Sequence, residues 1–106
     1  MAQFDVHRNP GPQSQAIPYV VVVQSSWFDG YRRRIVVPLV RKSALGPVVS
    51  ERINPEFRIG RTAVVLHPLE VVSVAVDRLG RKVGSLETQG EQIVAALDEV
   101  FSRAWG

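Results

Sequence analysis

Apolar positions along this chain are spaced for two kinds of structure, and the change between them comes late. Up to about residue 78 they form short β-branched runs cut by Pro, Gly, Asn and Asp, the spacing of strands and turns. Phe4, Val6 and Arg8 alternate with Asp5 and His7, which predicts a first strand with one face inward, ended by Asn9-Pro10-Gly11-Pro12. Residues 17–24 are nearly continuously apolar and predict a strand covered on both faces. Residues 25–31 read as a loop carrying Trp27 and Phe28 and closing on Asp29-Gly30. A strand follows over 33–39, with Pro38 marking its edge. Phe57 and Ile59 lead into Gly60-Arg61 and residues 63–66 lead out, a two-residue Gly-X hairpin of the type II′ kind. Residues 70–76 predict one more strand, and the charged stretch 77–84 a surface loop. Then the period changes. Thr88-x-x-Glu91 has capping-box spacing, and Ile93, Ala96, Leu97, Val100, Phe101 and Ala104 recur at intervals of three and four. Several short strands and one terminal helix predict a mainly β fold, a small antiparallel barrel or roll.

Composition narrows the class. The chain has 106 residues, 45% apolar and 22% charged, which suits a single domain over 1–106. No stretch approaches the roughly 20 apolar residues of a membrane span. The polar, Pro-interrupted start is unlike a signal peptide, and the lack of Cys fits a cytoplasmic protein. The net charge of +3 is uneven: residues 1–53 carry seven Lys/Arg against three Asp/Glu. Arg32, Arg33 and Arg34 supply most of that excess. Three arginines are few for a nucleic-acid groove and suit an acidic partner segment or a solvated strand face.

Candidate chemistry is sparse. His7 and His67 have no neighbours at metal-ligand spacing, no nucleophile elbow is present, and Gly80-Arg81-Lys82-Val83-Gly84 lacks the order that cradles phosphate. No catalytic residue, metal or cofactor is expected. Binding is better supplied: Trp27 and Phe28 share a loop, and Trp105-Gly106 stands at the end of the helix pattern. Large rigid rings make contact area at low ordering cost.

Phe4-x-Val6, Val21-x-Val23-Gln24-Ser25, the block from Arg33-Arg34-Ile35 to Pro38-Leu39, then Pro55, Ile59-Gly60, Phe101 and Trp105-Gly106 keep an order and spacing that resembles the CcdB toxins. The resemblance implies an SH3-like small barrel of five to seven antiparallel strands with a C-terminal helix. It implies a homodimer whose helices meet near the two-fold axis, through Val100, Phe101 and Ala104. It implies a toxin of a type II toxin–antitoxin pair that grips DNA gyrase through its GyrA chain and traps the enzyme on cleaved DNA, without catalysis. By position, the gyrase contacts fall on Trp105, Gly106, Trp27 and Phe28. A CcdA-like antitoxin with a disordered acidic tail neutralises such toxins and brings the complex to operator DNA; Arg33 and Arg34 are assigned to that tail.

Two departures bear on the target. The family ends in Trp-Gly-Ile directly after a helical Phe, whereas here the Ile is absent and Ser102-Arg103-Ala104 intervene. Three extra helical residues move the Trp about 4.5 Å along the axis and about 60° round it. Two alternatives follow: a toxin-derived regulator that binds antitoxin but spares gyrase, or an RNA-cleaving toxin of the Kid and MazF type. For the latter Arg33, Arg34, Asp29 and His67 are the available phosphate-binding and acid–base groups.

Overall fold

The computed structural model describes residues 2–47 and 50–102. Seven strands are present among them: β1 (Asp5–Arg8), β2 (Tyr19–Val22), β3 (Arg33–Arg41), β4 (Glu56–Ile59), β5 (Thr62–Leu66), β6 (Val72–Ala75) and β7 (Lys82–Ser85), followed by one helix, α1 (Gly90–Ser102). The sheet runs β4-β5-β3-β2-β1-β7, entirely antiparallel, with β6 also paired to β3. The fold is therefore the mainly β, helix-terminated kind that the pattern predicts, curled as a half-barrel.

The longest strand organises the rest. β3 pairs with β2 along one edge; on the other it pairs with β6 from Arg33 to Val36 and with β5 from Leu39 to Arg41. Contrary to the sequence expectation, Pro38 does not end this strand. It sits at the change of partner, where its missing N–H falls in the gap between β6 and β5, while its carbonyl accepts the His67 N–H at 3.1 Å. A proline is thus tolerated in a central strand. The Gly-X hairpin is as expected: Ile59 pairs with Thr62, and Gly60 takes φ 61° at no steric cost.

One face of the sheet carries Val6, Val21, Val37, Leu39, Phe57, Ile59, Val64 and Leu66, and Ile93 and Ala96 of α1 close over it with Leu86. The helix stripe is narrower than expected. Leu97 and Val100 are half-buried, and Phe101 is exposed. The capping box is not formed either. Thr88 lies inside the 3-10 turn Glu87–Gln89 with its hydroxyl on Gln89 Oε1, and Ser85 Oγ instead accepts the Glu87 N–H at 3.1 Å.

The opposite face explains two further differences. β1 does not alternate between core and solvent, because β2 and β7 flank it and residues 76–81 cover it. Asp5 and His7 are both buried, Asp5 near Lys82 Nζ at 3.3 Å and His7 Nδ1 at 2.9 Å from the Gly80 carbonyl. β7 itself arises within the stretch expected to be loop: Lys-Val-Gly-Ser has little strand propensity, and pairing with β1 makes the strand. Gly80 comes so close to β1 that a Cβ there would lie 2.5 Å from the Arg8 carbonyl oxygen.

Gly80→Ala should therefore destabilise the protein by about 1–3 kcal/mol, since backbone must move to admit the methyl. Ile93→Ala should cost about 2–4 kcal/mol through the cavity left under α1. Urea unfolding of both variants checks these values.

Candidate protein-binding surface

The loop between β2 and β3 is held by polar pins while its large side chains are left outside. Ser26–Phe28 forms a 3-10 turn in which Ser25 Oγ accepts the Trp27 N–H at 3.2 Å. Gln24 spans the loop mouth: its Nε2 donates to the carbonyls of Phe28 (3.1 Å) and Arg33 (3.3 Å), and its Oε1 accepts the Ile35 N–H at 3.2 Å. From beneath, the Arg34 guanidinium donates to the carbonyls of Asp29, Tyr31 and Arg33. A delocalised, permanently charged fork suits such a cluster of carbonyls.

Trp27 is 87% exposed and Phe28 57%, with Tyr31 at 59% beside them. Neither ring plugs the barrel. Because the backbone of this turn is already held, a partner that takes up the exposed rings has less of the loop to order. Ile35 adds an exposed aliphatic on the adjacent strand.

Arg34 needs correction as a candidate for contacting an acidic segment. It is 4% exposed and its two Nη groups are bonded to the loop carbonyls, so it works from inside. The physical cause is strand alternation: Arg33 faces solvent, and its neighbour necessarily faces the covered side. Arg33 is exposed and reaches across to β6, donating to Ser73 Oγ at 2.9 Å and the Ser73 carbonyl at 2.8 Å. Gln24, quoted above only as part of the Val21-x-Val23-Gln24-Ser25 block, was given no role from the sequence.

On α1, Val94 and Phe101 are seven residues apart and both exposed, at 43% and 64%. They form an apolar ridge beside the half-buried Leu97 and Val100. Ala104, Trp105 and Gly106 lie outside the described residues.

Of the groups nominated for RNA cleavage, Asp29, Arg33 and Arg34 lie together, and His67 stands apart from them. His67 is bonded to the backbone of Pro38, four residues along β3 from Arg34, or about 13 Å at strand rise. Arg34 is committed to carbonyls, and Asp29 Oδ1 is buried without a hydrogen-bond partner among the described residues. No cluster of potential metal ligands occurs among the described residues, and no helix there is long and apolar enough to cross a membrane.

Arg34→Met should lower stability by about 1–3 kcal/mol, because it removes the charged donor from the part-buried carbonyls of Asp29 and Tyr31. Arg33→Met, at an exposed site, should change it by less than about 1 kcal/mol. Urea titrations compare the pair, and Trp27 fluorescence should broaden in the first variant alone.

The family model described as CcdB protein matches residues 3–102. Among solved structures, one described as an endoribonuclease in complex with its cognate antitoxin from a mycobacterial species superposes with a TM-score of 0.75. The match covers 100% of this chain and 99% of that one at 13% identity. At that identity the likeness concerns the fold.

Proposed function

The chain belongs to the CcdB family, whose members are type II toxins, and on that premise we propose that it binds the GyrA chain of DNA gyrase as a non-catalytic wedge. The carrying observation is the braced turn that presents Trp27 and Phe28 to solvent. A wedge acts by affinity alone. If it prefers the open, cleaved enzyme by a hundredfold, religation is opposed by about 2.7 kcal/mol. No acid or base is needed for that, which accords with His67 lying apart from Asp29 and Arg34. Trp105 and Gly106 are assigned to the same contact.

The active unit is a homodimer joined along α1 through Val100, Phe101 and Ala104. The exposed Val94–Phe101 ridge supports this pairing, since burying it gives each copy what its own core leaves uncovered. A CcdA-like antitoxin neutralises the toxin in the cytoplasm and carries the complex to operator DNA.

The endoribonuclease identity of the fold relative favours a second reading, RNA cleavage. One experiment separates them. Purified protein should trap gyrase-linked breaks in plasmid DNA and leave RNA intact; cleaved RNA with no trapping reverses the assignment. Trp27→Ala and Trp105→Ala should each weaken trapping at least tenfold, the loss usual for a buried aromatic anchor. In sedimentation, Phe101→Glu should shift the protein from dimer to monomer at micromolar concentration, through like charges facing across the axis.

A further inference from the structure

β4 stands at one end of the sheet and pairs with β5 alone among the described residues. The Leu66 N–H donates to the Pro55 carbonyl at 3.0 Å, which sets the phase of this ladder. By the alternation of an antiparallel pair, Pro55, Phe57 and Ile59 turn their main-chain groups toward β5. Glu56 and Arg58 turn theirs away from the sheet, where no described residue bonds to their N–H or C=O groups. A cavity of about 530 Å³, lined also by Leu45, Gly46 and Gln92, adjoins Glu56, so that end of the edge meets open space.

Side chains divide the same strand between core and solvent. Phe57 and Ile59 are buried, while Glu56 and Arg58 are exposed together on the other face. Glu56 Oε1 holds Lys42 Nζ at 2.9 Å, which leaves its second oxygen for a second cation. Arg58 donates from one Nη to the Arg61 carbonyl at 3.4 Å and has no carboxylate partner among the described residues. Charges on an edge strand keep most other strands away. Here, however, opposite signs alternate along the exposed face, and a second copy of β4 laid antiparallel presents them in reverse. A register centred on Phe57 sets Glu56 of each copy directly opposite Arg58 of the other, and their outward main-chain groups exchange hydrogen bonds. Slipping that register to the next outward-facing pair sets Glu56 against Glu56 or Arg58 against Arg58, and like charges directly opposed are destabilising. Pro55, which has no N–H, faces β5 and loses nothing in this pairing.

We propose that two copies of this chain join through β4, antiparallel about a two-fold axis at Phe57, so that the sheet of one continues into the other. The contact goes beyond the gyrase reading and does not rest on it, and it shares no residue with the Val94–Phe101 ridge or the aromatic turn. A strand this short makes a weak, transient interface. Because it is isologous and separate from the α1 pairing, it links α1 dimers into larger assemblies as concentration rises.

Sedimentation of the full chain tests this without gyrase, so its failure leaves gyrase trapping untouched. The mass at the lowest concentration serves as reference, which makes the reading independent of the α1 pairing. Raising the chain from about 1 µM to about 300 µM should increase that mass, as a weak contact requires. Glu56→Arg and Arg58→Glu should each lower the association constant at least about tenfold, by setting like charges across the axis. An equimolar mixture of these two variants should associate to within about threefold of the parent, because each supplies the sign the other lacks. Loss of packing in either variant could not produce that rescue. Arg58→Lys, which keeps the sign, should stay near the parent, and with Arg58→Glu it carries the test if Glu56→Arg does not fold. The proposal is overturned if the parent keeps one mass across the range, if Arg58→Glu associates as well as the parent, or if the mixture of folded variants associates no better than its components.

Discussion

The structure hangs on the two-sided pairing of β3. One strand of nine residues bonds to β2 along one edge and to β6 and then β5 along the other, so three otherwise separate hairpin-sized pieces become one curled sheet. The change of partner falls beside Pro38, the one residue with no N–H to leave stranded in the gap. Curling brings Val37 and Leu39 under α1 and sends Arg33 out toward the β6 edge. Most long-range organisation therefore passes through a strand whose two halves face different neighbours.

Burial of charge on the second face follows from the same arrangement. A sheet covered by a helix on one side and by residues 76–81 on the other has few solvent-facing positions in its middle strands. Asp5, His7 and Arg34 are taken inside and must find partners there. Asp5 has Lys82, His7 has the Gly80 carbonyl, and Arg34 has the loop carbonyls. Such partners are costly to remove and poor at tolerating alternatives, which makes them devices of shape more than of net stability. For Arg34 the shape in question is the aromatic turn.

Two surfaces of different chemistry thus share one end of the scaffold. The turn with Trp27 and Phe28 is apolar and braced; the surface along β6, where Arg32, Arg33 and Arg78 stand, is cationic. Arg33 belongs to both, its carbonyl receiving Gln24 and Arg34 while its side chain lies on Ser73. A protein that works by contact needs the loop under its large rings held and its charges placed, and here a single strand end does both.

Local patterning by itself determined the mainly β class, the Gly60 hairpin, the terminal helix and the loop that carries Trp27 and Phe28, because each is written in residues a few positions apart; that both rings stand outside was decided by the fold. The pattern also carried enough of the Arg33-to-Leu39 block to point to the family. The tertiary structure alone decided the burial of Asp5, His7 and Arg34, the existence of β7, the replacement of the Thr88 cap by Ser85, and the role of Gln24. All of these depend on which strand lies beside which. A period-two pattern states that neighbouring residues face opposite ways; it does not state whether one face, or both, will be covered. Arg33 and Arg34 are identical letters one position apart, and only the loop folded back over the second makes one a surface cation and the other an internal brace.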